Sequence, residues 1–256
     1  MEIFSQNNLW KFLPLLFTVN LVRYLLLAGI PFLIFYVWKK NQKQASKIQP
    51  KFQKTADYQR EVFYSVLTFV MFSVIGVLLY HPVVRPHTLL YKDWNQYGTA
   101  YGILSFFLLI LLHDTYFYWT HRAMHHPKLF KAFHLVHHKS TNPSPWAAFA
   151  FQPTEAFVEA GILILAAFVM PLHGYVILAF LVFMTTYNVY GHLGWELYPA
   201  RFNRHFLARW LNTSVNHNQH HQYFRGNYGL YFRWWDELMH TTRADYDATF
   251  EQMKRG

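Results

Sequence analysis

Apolar and polar positions along this 256-residue chain separate into long blocks instead of alternating. Residues 12–38 are almost wholly apolar, interrupted by Asn20 and Arg23, and residues 62–80 carry no charge. Residues 98–112 carry none either and run towards the aromatic stretch Tyr116–Trp119. A fourth uncharged stretch, 160–190, is broken by Met170-Pro171-Leu172-His173-Gly174. A helix needs about 20 apolar residues, in a range of about 17–25, to cross the hydrocarbon core of a bilayer. The first three stretches reach that length. The fourth, divided at Pro171, suffices only for a tight hairpin of two short helices. Near-uniform apolarity over lengths of about 20 residues is rare in soluble folds, which argues against the buried helices of a soluble protein. The pattern therefore predicts an all-α integral membrane protein with about three full spans plus a short helical hairpin.

Charge gives this arrangement a direction. The net charge is +10, and residues 1–60 hold nine Lys/Arg against two acids, so +7 of it lies there. Most of it sits in the loop 39–54, at Lys39, Lys40, Lys43, Lys47, Lys51 and Lys54. By the positive-inside rule that loop is expected in the cytoplasm. Span one then enters the cytoplasm, span two (62–80) leaves it, span three returns near Tyr118, and the hairpin leaves and comes back. Segments 119–156 and 191–256 are expected on the cytoplasmic side. Nucleic acid, the other partner that a basic chain implies, would need a basic face with interleaved aromatics on a soluble fold. Here the basic run abuts a span, so no nucleic-acid partner is expected. The stretch 12–38 is also too long for the short apolar core of a cleaved signal peptide.

The chain has sixteen His and no Cys, which leaves imidazole and oxygen as metal donors. His121 and His125 are one helical turn apart. His134, His137 and His138 form H-x-x-H-H, and His217, His220 and His221 repeat it. On a helix such a triplet is expected to aim three imidazoles at one patch. Eight nitrogens, with His192 as a ninth, exceed the four ligands of one tetrahedral zinc and suit two metal ions with four or five imidazoles each. Imidazole suits Zn, Cu, Fe and Ni, so ligand type alone leaves the metal open. The other seven histidines carry no such pattern, although His126, next to His125, is balanced between ligand and surface roles. A zinc protease would need H-E-x-x-H, but Arg122 stands where that Glu belongs. A ferritin-like di-iron site would need paired Glu-x-x-His motifs, and only Glu237 to His240 fits one. Asp114, Glu155, Glu196 and Asp236 are candidate acceptors for imidazole N–H groups. Asp114 is favoured by its spacing of seven from His121.

Together, H-R-x-x-H and two H-x-x-H-H boxes after hydrophobic spans resemble the fatty acid hydroxylase/sterol desaturase superfamily of integral membrane di-iron oxygenases. The resemblance covers roughly residues 105–240. It extends to His113-Asp114-Thr115-Tyr116-Phe117-Tyr118-Trp119-Thr120-His121-Arg122, to Ser140-Thr141-Asn142-Pro143-Ser144-Pro145-Trp146-Ala147, to Asn227-Tyr228-Gly229 and to Trp234-Trp235-Asp236. It is nearest to the sterol C5-desaturase-like branch. The resemblance implies metal ligation by His121, His125, His134, His137, His138, His217, His220 and His221, with His192 as a further ligand. One departure is Gln152-Pro153, where many relatives have His before the Pro.

The resemblance also implies two Fe ions, replaceable by zinc in purified protein, O2 as co-substrate, and hydroxylation or desaturation of an unactivated C–H bond in a membrane lipid. No His-Pro-Gly-Gly haem segment occurs, so electrons are expected from a separate reductase with a cytochrome b-type or ferredoxin-type carrier. The implied organisation is a membrane anchor over 1–104, a catalytic domain over 105–240 and a tail over 241–256. The His-rich helical cap would hold both metals at the cytoplasmic face of a bacterial inner membrane or the endoplasmic reticulum. A membrane zinc hydrolase and a non-enzymatic metal-binding or transport protein are the competing readings. Transport would call for polar groups inside the spans, and spans two and three carry no charge.

Overall fold

The computed structural model describes residues 9–40 and 47–254. The basic loop is therefore described in part, and Lys43 lies outside the described residues. Four helices are long and apolar enough to cross a membrane. The first is Leu9–Trp38, made of a 3-10 turn, α1 (Phe12–Phe32) and a π-helical end; the others are α2 (Thr55–Leu79), α3 (Gly98–Met124) and α7 (Gly174–Gly191). The surface they present is that of a multi-pass membrane protein. Along the first span, Leu15, Val19, Val22, Leu26, Ile30, Leu33 and Val37 form an exposed stripe at helical spacing, while Arg23 and Tyr24 are buried. On α2 and α3, Phe63, Val70, Ile103 and Phe107 face outward, and Ser65, Thr68, Ser73 and Ser105 face inward. Apolar outside and small polar inside is the arrangement expected where hydrocarbon is the solvent.

Some boundaries differ from the hydropathy pattern. Helix α2 starts at Thr55, seven residues before the uncharged run, where Asp57 in its first turn accepts from the Lys54 amide. Helix α3 does not stop at the end of its apolar run but continues unbroken to Met124, carrying His113, Asp114 and His121 on its buried face. The hairpin expected over 160–190 is α6 (Pro153–Val169) followed by α7, but α6 begins seven residues earlier and α7 is long and apolar enough to cross a membrane, whereas the hydropathy pattern allows only two short helices. Pro153 occupies the first turn of α6, where its missing N–H costs nothing. At the turn, Leu172–His173 (β2) pairs in parallel with Leu90–Tyr91 (β1). His173 then caps α7 by accepting from the Tyr175 amide.

Short helices close the other end of the bundle: α4 (Pro127–Phe133), α5 (Leu135–His138), α8 (Ser214–Tyr223), α9 (Trp234–Leu238) and α10 (Tyr246–Met253). Helix α8 is capped by the Thr213 hydroxyl, which accepts from the Asn216 amide, and ends at Phe224 in a left-handed conformation. The basic loop packs against this end. Lys47 donates to Asn142 Oδ1, Gln49 donates to Thr141 O and Asn218 Oδ1, and the Ile48 amide donates to Gly194 O. The positive loop and the His-rich segments thus share one end of the molecule. One buried core joins α3, α6, α7 and Leu230–Tyr231; a second joins α1, α2 and the turn Pro145–Phe149.

Candidate metal centre

The eight histidines singled out by spacing, together with His192, fall into two groups, each able to hold a metal ion. His121, His125, His134, His138 and His220 form one; His137, His192, His217 and His221 form the other. Within each group the ligand atoms lie within 4.8 Å of one another. All but His125 are buried.

The triplets do not each face one patch. His134 and His138 serve the first group and His137 the second; His217 and His221 serve the second and His220 the first. The reason is angular. Residues i and i+4 lie about 40° apart around a helix, whereas i+3 and i+4 lie about 100° apart. Each box therefore gives a near-parallel pair to one site and a single imidazole to the other. His134 is also outside α5 proper: it is the residue before the helix, with φ −127° and ψ −7°.

Tautomers are set from behind. The Nδ1–H of His121 donates to Tyr228 O, that of His192 to Asn188 O, that of His220 to Gly226 O and that of His221 to Ser140 O. His134 Nδ1 lies 2.6 Å from Glu155 Oε1. With Nδ1 protonated, Nε2 of His121, His192, His220 and His221 carries a bare lone pair. The Nε2 atoms of both groups point at one another: His121 to His134 at 2.9 Å, His138 to His220 at 3.0 Å, and His192 to His221 at 3.1 Å. His125 closes a triangle with His138 and His220 at 3.1 Å on both sides. His192 also faces His137 at 3.3 Å and His217 at 3.2 Å. Converging lone pairs repel unless a cation sits among them. Nitrogens about 2.1 Å from a metal and at right angles to one another lie about 3.0 Å apart, so the observed spacing fits a shared ion. Five nitrogens in one group also exceed the four of a structural zinc site.

Burial, and after it the neighbouring imidazoles, hold His134, His137, His138, His217, His220 and His221 well below the usual histidine range. Burial pushes His192 down to about 4, against the opposing bond to Asn188 O. The site is thus neutral at pH 7 and ready to bind a cation. The unfolded chain takes up protons near pH 6.5, while the folded, metal-free site does not. Stability therefore falls as pH falls, by about 1.4 kcal/mol per pH unit for each histidine concerned. The melting temperature of metal-stripped protein is expected to drop steeply between pH 7 and pH 5. A flat profile would contradict a neutral buried cluster.

Of the four carboxylates proposed as imidazole acceptors, Glu155 alone meets an imidazole, at His134. Asp114 instead accepts from the amides of Tyr231 and Phe232 and from Trp234 Nε1. Asp236 accepts from the amides of Tyr228 and Gly229 and from the Thr241 hydroxyl. Glu196 accepts from the Tyr190 hydroxyl and the amides of Tyr198 and Val215. The loops after α8 and before it carry unpaired amides that only these acids reach, and that demand outcompetes the imidazoles. The acceptors the sequence hides are the carbonyls of Tyr228, Asn188, Gly226 and Ser140, which carry no residue-type signal. Gln152 donates to Ala132 O and to the Thr154 hydroxyl, tying α6 to the end of α4, and meets no imidazole among the described residues. His126 is exposed and caps α4 by accepting from the Lys128 amide. His205 and His81 accept from nearby amides in the same manner.

A cavity of about 220 Å³ lies among α1, α2, α3, α6 and α7, and two of its wall residues separate it from the two groups. Phe117 and Phe151 line it and touch the two groups, with ring centroids 4.8 Å from His121 and 5.2 Å from His137. From Asn188 at this end the lining extends along α7 to Gly174, about 20 Å at 1.5 Å per residue.

The family model described as Fatty acid hydroxylase matches residues 106–241. The chain is 30% identical to the Delta(7)-sterol 5(6)-desaturase of Gibberella zeae over 195 residues, 76% of this chain and 58% of that protein. It is 29% identical to the lathosterol oxidase of Homo sapiens over 191 residues, 74% of this chain and 62% of that protein. It is 30% identical to the lathosterol oxidase of Rattus norvegicus over 236 residues, covering 91% and 76%. The match thus spans about three fifths of the length of the first two relatives. No solved structure matches the chain.

Proposed function

This chain belongs to the fatty acid hydroxylase family, in its sterol desaturase branch, and from that premise we propose that it oxidises an unactivated C–H bond of a membrane lipid at a His-ligated di-iron centre. The observation that carries this reading is the convergence of bare Nε2 atoms in two groups against the end of an apolar cavity. His121, His125, His134, His138 and His220 would hold one iron; His137, His192, His217 and His221 the other. Iron held there would supply chemistry that no side chain can, the O2-dependent oxidation of an unreactive carbon to an alcohol or an alkene with electrons from a separate donor.

The chain does the rest. Backbone carbonyls and Glu155 lock the imidazoles so that Nε2 faces inward. The apolar cavity wall admits a lipid from between the helices and keeps water from the reacting carbon. Phe117 and Phe151 narrow the approach to the histidines, which limits the carbons that can be presented. The basic loop shares this end of the molecule, and by the positive-inside rule that end faces the cytoplasm, where a reductase and its carrier can dock. Residues 105–240 form the catalytic domain, and α1 and α2 complete both its cavity and its anchor. The 160–190 hairpin returns the chain to the metal end.

The substrate class that the relatives' names specify, a Δ7 sterol, is the first lipid to test. Reconstitution with iron, a reductase system and a lipid panel is expected to shift one lipid by −2 or +16 mass units, only with O2 present. O2-independent turnover would overturn the reading in favour of a zinc hydrolase. Metal analysis of active enzyme should give about two irons per chain; none would sink the mechanism.

A further inference from the structure

The cavity beside the histidines contains one group out of keeping with its surroundings. Glu159 lines it from α6 among Phe72, Ile162, Leu163 and Phe180. A carboxyl in such a setting is costly unless it meets a donor. Among the described residues Glu159 has no hydrogen-bond partner, while the other polar liners are engaged. Asn20 accepts from Arg23 and donates to Ser73, His113 shares a bond with the Tyr231 hydroxyl, and Asn188 donates to Ala148 O. We propose that Glu159 receives the hydroxyl of a lipid alcohol and thereby sets which carbon of the substrate meets the metals. This rests on the oxidase reading above and adds the substrate's polar handle to it.

Donor arithmetic selects the alcohol. A hydroxyl has one proton to give, and a single carboxyl satisfies it. A lipid ammonium brings three N–H groups and a full charge, which one carboxyl in an apolar wall cannot match. A fatty acid would set carboxyl against carboxyl. Placement selects the end of the lipid that reacts. Glu159 lies one helical turn beyond Glu155, a rise of about 6 Å, and Glu155 holds His134. A hydroxyl at Glu159 therefore lies close to the metal groups, and the oxidised carbon is a few bonds from it. The body of the lipid then extends the other way, past Leu16, Ile75 and Ile177 towards Leu79 and Gly174. A lipid whose headgroup stayed at the membrane surface and whose chain was oxidised midway would not use this anchor.

The test is equilibrium binding to purified full-length protein in nanodiscs, using tritiated lathosterol and octadecanol, each against its methyl ether. The ether keeps the carbon skeleton and loses the donor. Wild type is expected to bind at least one alcohol about tenfold more tightly than its ether. Glu159→Leu should bind both forms alike, and Glu159→Gln, which still accepts a hydrogen bond, should keep most of the preference. Absence of any preference in wild type, or its survival in Glu159→Leu, overturns the proposal. Iron content is measured in the same preparations. Two irons per chain with an unaltered preference in Glu159→Leu would remove the anchor and leave the oxidase reading intact. Failure to load iron in wild type would count against that reading itself.

Discussion

Substituting His134 or His220 by alanine is expected to lower turnover on the order of 1,000-fold while the protein stays in the membrane. The size follows from what each imidazole does. Loss of a partner that merely orients a ligand costs about 10–100-fold in metal affinity or activity; loss of the ligand itself removes a bond to the ion and leaves facing lone pairs without their cation. His134 faces His121 at 2.9 Å, and His220 closes the triangle with His125 and His138. Neither side chain touches the outward apolar surface, so membrane insertion is unaffected. Iron should fall from about two per chain to about one or fewer. His205→Ala, at an exposed residue that accepts from the Ala208 amide, serves as the control and should keep turnover within about twofold. Full turnover in His134→Ala would remove the assignment of the site.

The second large effect is structural. Asp114→Ala should destabilise the protein by about 3–5 kcal/mol, from one buried and two half-buried donors left bare at about 1–3 kcal/mol each. Those donors are the Tyr231 and Phe232 amides and the Trp234 indole, and all belong to the segment that follows α8. The same segment supplies Tyr228 O to His121, so iron should be lost together with stability. Thermal melting in detergent and limited proteolysis across residues 226–236 would read both. Asp114→Asn, which retains an acceptor oxygen, should fall between. An unchanged melting temperature in Asp114→Ala would refute the role.

These residues mark where the sequence is legible and where it is not. Eight of the nine histidines stand out by their H-x-x-x-H and H-x-x-H-H spacing, whereas His192 is isolated in the chain and enters only through the family resemblance. The membrane character is legible in apolar blocks whose length matches a bilayer. The sharing of each box between two groups is not, since a spacing of three or four specifies nearness on a helix but not which neighbour lies opposite. Helical phase makes Asp114 an imidazole partner, and tertiary demand from bare amides decides otherwise. The Nδ1 acceptors are mostly carbonyls, which every residue has, so no letter code could reveal them. Glu159 does leave a signal, an acid one turn after Glu155 in an otherwise apolar helix, but its meaning appears only beside the cavity.

The crossing of the two boxes has a consequence for how the centre assembles. Helices α5 and α8 each reach into both groups, so neither group can be ordered while the other stays loose. If two ions bind as proposed, the first would tighten α5 and α8 further, and the second would find its nitrogens more firmly held. Loading is then expected to be cooperative, with titration under scarce metal giving mostly empty and doubly filled chains and few half-filled ones. A centre that needs both ions to work is thereby spared an abundant idle form.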